Sequence, residues 1–187
     1  YSDMASAGTA LQLLTTGIQK ALQERNNNIT VVVKDKLNKE EADELTAPCI
    51  KTGGGTTNMY LPNIGNKKIV RGKQSVIYVT IDNAHVASIV IEELTPQSLI
   101  GLPRGYARTS DPSGHILIDL ICNAHETTKG LLPLLLDVAD NIKAIKFLYI
   151  SPAHIQKKGQ TKLIPVEGLL AYYKGVGFVE VPGDDTG

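Results

Sequence analysis

Residues 125 to 137 read HETTKGLLPLLLD, and Gly130 stands between a strand-like run and a helix-like run. Such a turn can do chemistry through its backbone alone. A helix that starts there offers unpaired N–H groups and the positive end of its dipole, which suit a phosphate. Glycine lets that backbone approach an anion with no side chain between. The plainer reading is that Gly130 turns the chain and LLPLLL packs a helix on a sheet. Upstream, HILIDLIC (115–122) alternates as a strand. Alternation puts His115 and Asp119 on one face and Ile116 and Ile118 on the other. Either polar group can accept a proton, and histidine titrates nearest to neutral pH. A solvated or hydrogen-bonded polar pair fits the same residues. Glu126 at the end of that run and Glu92 and Glu93 at the end of the preceding strand-like run are further carboxylates, and a Glu-Glu pair at a strand end is ordinarily solvated.

Other chemistries find less support. His85, His115, His125, His154, Cys49 and Cys122 show no metal-ligand spacing, so no metal is expected. No nucleophile-elbow pattern marks a serine. TGGGTTN (52–58) is glycine-rich but lacks the Lys-Ser/Thr and the following helix of a P-loop, and it reads as a loop. KKGQTK (157–162) is a small basic loop, most simply a solvated one.

The elements that must position these groups belong to one domain. The chain has 187 residues, 42% of them apolar, enough for a real core. Nineteen basic residues balance nineteen acidic ones, which leaves no general field for nucleic acid or anionic membrane. No run reaches the ~18 apolar residues of a membrane helix, so no membrane span is expected. Two cysteines are too few for a disulfide scaffold. Cys122 sits in an apolar run and reads as a buried reduced thiol, which suits a reducing, cytoplasmic compartment. The chain opens at Tyr1, as a trimmed or processed product would.

Leu11, Leu14, Ile18 and Leu22 recur at three- and four-residue spacing and predict a helix over 3–25, ended by Asn26-Asn27-Asn28. ITVVV (29–33) is a β-branched strand. Residues 34–74 form the least regular stretch. SVIYVTI (75–81), the turn DNA (82–84) and HVASIVIEEL (85–94) predict a hairpin. A long connection follows (95–114), then the strand 115–122, a helix over 131–142, a strand over 144–150, a short helix over 164–176 and a last strand over 177–181. Strands alternate with helices only in the second half, which predicts a mixed α/β sheet flanked by helices.

This order from 75 to 181 resembles the conserved half of the GNAT superfamily, the acetyl-CoA-dependent N-acetyltransferases. VIYVTIDNAHVASIVIEEL is similar to the family's second and third strands. HILIDLICNAHETTKGLLPLLLDVADN is similar to its fourth strand, cofactor loop and long helix. AYYKGVGFVEV resembles its aromatic-Tyr, Gly-Phe signature. The likeness covers a little over half the chain; the front half, 29–74, matches loosely, and here a helix precedes the first strand.

The resemblance implies a GNAT-like single domain over 1–187 and transfer of acetyl from acetyl-CoA to an amine. It implies that backbone N–H groups near Ile121 and Asn123 hold the cofactor and that Thr127, Lys129 and Gly130 border its pyrophosphate. Tyr173 would protonate the departing thiolate, and Asp119 or His115 would serve as base. The family's Arg/Gln-x-x-Gly-x-Gly/Ala loop falls on Thr127, Gly130 and Leu132. Leu132 would then put a branched side chain where phosphate approaches. The expected alternative is therefore a GNAT-like domain that has lost catalysis and serves binding or assembly with a protein partner. A subdomain of a larger assembly protein is a third reading.

Overall fold

The computed structural model describes residues 9–34, 73–96, 111–150 and 173–179, with positions 40, 44, 45 and 48. Its centre is a five-stranded mixed sheet. Helix α1 (Thr9–Arg25) leads into β1 (Ile29–Lys34). Then come β2 (Lys73–Ile81), β3 (Ala84–Glu93), β4 (His115–Asn123), helix α2 (Leu131–Asp140) and β5 (Phe147–Ile150). The strands lie in chain order. β1 to β4 pair antiparallel, whereas β4 and β5 run parallel.

The expected mixed α/β sheet with an N-terminal helix is the architecture observed. The β2–β3 turn falls on Asp82 and Asn83, both at positive φ, which short polar side chains tolerate and a primed hairpin turn demands. One expected element differs. Residues 177–179 are not strand. Gly177 N–H donates to the Lys174 carbonyl (3.1 Å) and Phe178 N–H to the Tyr173 carbonyl (2.9 Å). That pair of bonds is a Schellman helix end, so the chain there closes a helix instead of extending. Positions 180–181 and most of the expected helix 164–176 lie outside the described residues.

The two faces of the sheet differ. Leu11, Leu14, Ile18 and Leu22 of α1 and Leu131, Leu132, Leu134 and Leu135 of α2 meet Ile77, Ile89, Ile91, Ile116 and Ile118 in the main core. Each fully buried aliphatic side chain there stabilises by about 1.5–3 kcal/mol. The other face carries a smaller cluster of Leu45, Val76, Tyr78, Val90, Leu120 and Cys122. Cys122 is disulfide-bonded, and Cys49 is the chain's only other cysteine. This corrects the expectation of a reduced thiol and removes the ground for a reducing, cytoplasmic setting. An apolar strand position buries a disulfide as readily as a thiol. No described helix is long and apolar enough to cross a membrane.

Glu92 and Glu93 are also corrected: both are buried rather than solvated, Glu92 wholly so. Glu93 accepts the Leu11 N–H near the start of α1 and the Gly114 N–H before β4, each at 3.4 Å. A carboxylate suits a helix N-terminus.

Candidate active site

β4 carries His115, Asp119, Ile121 and Asn123, and its two edges differ. Against β3 it is paired from Ile116 to Asn123, but the register skips Asp119. Val90 faces Leu120 and Ile91 faces Ile118, so Asp119 is the extra residue of a β-bulge. Against β5 the described parallel ladder joins His115 to Phe147 through Ile118 to Ile150.

Asp119 is half-buried, and the Gln74 amide donates to its Oδ2 at 3.3 Å. Gln74 alternates with Val76 and Tyr78, so Asp119 addresses the face opposite α1 and α2. Tyr78 lies on that face. Burial, helped by the Glu44 carboxylate, pushes its hydroxyl up to about 12, so it keeps its proton at neutral pH.

His115 shares that face but not that place. It lies four residues upstream, roughly 13 Å along a strand. Its ring is buried, stacked on Tyr149 and tilted on Phe147, with Nδ1 3.0 Å from the Tyr149 hydroxyl. Burial, with help from the Lys146 charge, holds its pKa below the usual histidine range, against an opposing pull from Asp111.

After Asn123 the chain forms a tight loop and then α2. The Asn123 side chain organises it: Oδ1 accepts from the His125 N–H and the Thr128 hydroxyl, and Nδ2 donates to the His125 carbonyl. Thr127, Thr128 and Lys129 donate their N–H groups to His125 Nδ1, the His125 carbonyl and the Glu126 carbonyl. Thr127 N–H is thus already engaged. The Lys129 ammonium lies 3.8 Å from Glu126, and both side chains are exposed.

Gly130 caps α2 in the left-handed conformation (φ 76°, ψ 37°), and no side chain caps the helix. A Cβ added at Gly130 would meet nothing within 4 Å. The first helical bond runs from Leu134 N–H to the Gly130 carbonyl. The preceding N–H groups have no partner within the helix, and Pro133 lacks one altogether. Leu132 corrects an expectation. It is 4% exposed and packed in the main core, so its side chain turns away from the open side of the turn. The amphipathic period of α2 decides this: Leu131, Leu132, Leu134 and Leu135 form the buried face, and Pro133 and Asp137 the outer one.

Tyr173 begins the described helical turn. Its ring packs on the main core and meets Phe178 edge-on at 6.0 Å. The structure thus gathers Asp119, Ile121, Asn123, Thr127, Lys129 and Gly130 along one end of β4 and its loop. It sets His115 at the other end and Tyr173 on the helix-side core. Two residues that the sequence reading passes over touch this end. Gln74 holds Asp119, and Arg25 Nη1 donates to the Lys129 carbonyl at 2.7 Å. Among the described residues, no cluster of three or more His, Cys, Asp or Glu could hold a metal ion.

No protein-family model matches this sequence, and no curated protein matches it. Among solved structures the chain is similar to a ribosomal-protein-alanine N-acetyltransferase from Brucella melitensis biovar Abortus 2308. The identity is 14% over 81% of this chain and 93% of that one, with a TM-score of 0.39. It is also similar to AAC(6')-Iy in complex with the bisubstrate analog CoA-S-monomethyl-acetylneamine. There the identity is 9% over 81% of this chain and 92% of that one, again with a TM-score of 0.39.

Proposed function

We propose that the chain is a GNAT-like N-acetyltransferase that moves acetyl from acetyl-CoA to an amine. One observation carries the reading: β4, bulged at Asp119, runs into an uncapped helix start with open space at Gly130. The extra residue of a bulge leaves backbone of its strand unpaired, where an extended ligand can bond. A helix N-terminus beyond it suits the ligand's phosphates. Leu132, turned into the core, leaves that approach clear.

Acetyl-CoA supplies an activated acetyl thioester. β4 backbone near Ile121 and Asn123 holds the ligand's extended arm, and the Gly130 turn receives its pyrophosphate. The amine nitrogen forms a bond to the acetyl carbon as the carbon–sulfur bond breaks. Asp119 accepts the proton that the nitrogen loses, directly or through water, and Gln74 orients its carboxylate. Tyr173 donates its phenolic proton to the departing sulfur. The site's geometry favours Asp119 over His115 as base, because His115 is stacked and hydrogen-bonded about 13 Å away.

Calorimetric titration with acetyl-CoA, then with free CoA, tests the reading. Saturable binding in the micromolar range is expected. Failure to bind at millimolar cofactor sinks it and leaves a GNAT-like binding or assembly domain with a protein partner.

A further inference from the structure

We infer that Arg25, from the helix that precedes the sheet, is the cationic wall of the nucleotide end of this site and binds the pyrophosphate of CoA. The inference rests on the acetyl-CoA reading above and adds a binding residue to it.

The packing of α1 on α2 brings Arg25 there. Gly17 lies against Val138, close enough that an added Cβ would come within 2.4 Å of the Val138 side chain. Arg25 follows Gly17 by eight residues, and Gly130 precedes Val138 by eight. The helices run antiparallel, and about 12 Å along each, the end of α1 meets the start of α2. The contact is direct: Arg25 Nη1 donates to the carbonyl of Lys129, the residue before the open turn.

A pyrophosphate needs more than this loop's backbone supplies. The N–H groups of Thr127, Thr128 and Lys129 are spent inside the loop, and Pro133 has none. Among the described residues, Lys129 and Arg25 are the cations at this turn. The Lys129 ammonium shares its charge with Glu126 at 3.8 Å. Arg25, among the described residues, contacts a neutral carbonyl and no carboxylate, so its full charge is left for an anion. A guanidinium has five donors in a planar fork. One is fixed on the Lys129 carbonyl, one residue before Gly130, and the fork has others for two phosphate oxygens. The same side chain could instead serve only to close the last turn of α1 against the loop. The two roles differ in what they do to ligands with and without phosphate.

Calorimetry on the full chain separates them, with CoA and with pantetheine, which lacks the nucleotide and its phosphates. Arg25→Ala is expected to weaken CoA about tenfold and to leave pantetheine unchanged. Arg25→Lys, which keeps the charge and loses the fork, is expected to lose less. Added salt is expected to narrow the gap between wild type and Arg25→Ala. Equal CoA affinity in wild type and Arg25→Ala overturns the inference. So does an equal loss for both ligands, which makes Arg25 a positioning residue for the loop. If the wild-type chain does not bind CoA at all, both this inference and the acetyl-CoA reading fall. If it binds CoA and only the substitution is silent, the inference alone falls.

Discussion

The two ends of β4 are built from similar residues and finished in opposite ways. At its start, His115 is buried, paired with Phe147 in the parallel ladder and stacked on Tyr149. At its far end, Asp119 is bulged and only half-buried, and the chain leaves through a helix start that no side chain caps. Polarity alone would rank His115 and Asp119 as equals. Their surroundings do not: His115 is buried in an aromatic stack, whereas Asp119 stays half-buried on a bulge. A titratable group on the right face of the right strand becomes a candidate only when its surroundings leave it partly exposed.

The sharpest way to break this comparison is to remove each polar group in turn and measure turnover with acetyl-CoA and an accepted amine. Asp119→Asn is expected to lower kcat/KM by about a hundredfold or more, the scale of general-base catalysis. His115→Gln is expected to leave it near wild type at a temperature where both variants are folded. Equal losses would erase the difference between the two ends, and a silent Asp119→Asn would end its role as base.

A smaller effect separates the same two ends through their glycines. Gly114 and Gly130 both have positive φ, at 81° and 76°. Alanine at either bears the left-handed penalty of about 1–2 kcal/mol. At Gly114 the added Cβ would also fall 2.3 Å from the Ala144 carbonyl oxygen, a backbone atom that cannot swing aside. At Gly130 it meets nothing within 4 Å. Denaturant unfolding is expected to show Gly114→Ala destabilised by about 3 kcal/mol or more and Gly130→Ala by about 1–2 kcal/mol. Similar losses would mean that the open space at Gly130 is filled in solution.

Much of this scaffold is legible in the sequence, and the misses have a common cause. The β-branched runs mark β1 to β4, Asp82-Asn83 marks the hairpin, and the helix that begins after Gly130 follows from its leucine period. What composition and period do not carry is contact between distant segments. The bulge at Asp119 is a one-residue skip in register, and HILIDLIC alternates smoothly across it. Arg25 reaches Lys129 across 104 positions because two helices lie side by side. The disulfide of Cys122 leaves no local trace either. Leu132 is different, because its signal was present. A family loop pattern assigns it to the phosphate, whereas the helical period assigns it to the core, and packing follows the period.

The smallest expected effect tests the closed end alone, through pH. The His115 ring loses water on folding, and Lys146 adds an unfavourable charge nearby, so the folded state holds its pKa below the unfolded value. Asp111 pulls the other way but faces Ser113, whose hydroxyl and N–H keep its carboxyl below the usual range. The neutral ring is therefore the form that the fold prefers, with Nδ1 at the Tyr149 hydroxyl. Its contribution to stability is complete above the unfolded-state pKa of about 6.5 and is lost as pH falls through that value toward the lower folded one. His115→Phe keeps an aromatic ring in the stack and removes the titration. Unfolding midpoints measured from neutral to mildly acidic pH should therefore fall faster for wild type than for His115→Phe, and the gap between them should shift steadily in the variant's favour. Parallel curves would mean that acid reaches this ring as easily in the folded chain as in the unfolded one. The start of β4 would then be as open as its end, and the contrast that singles out Asp119 would lose its basis.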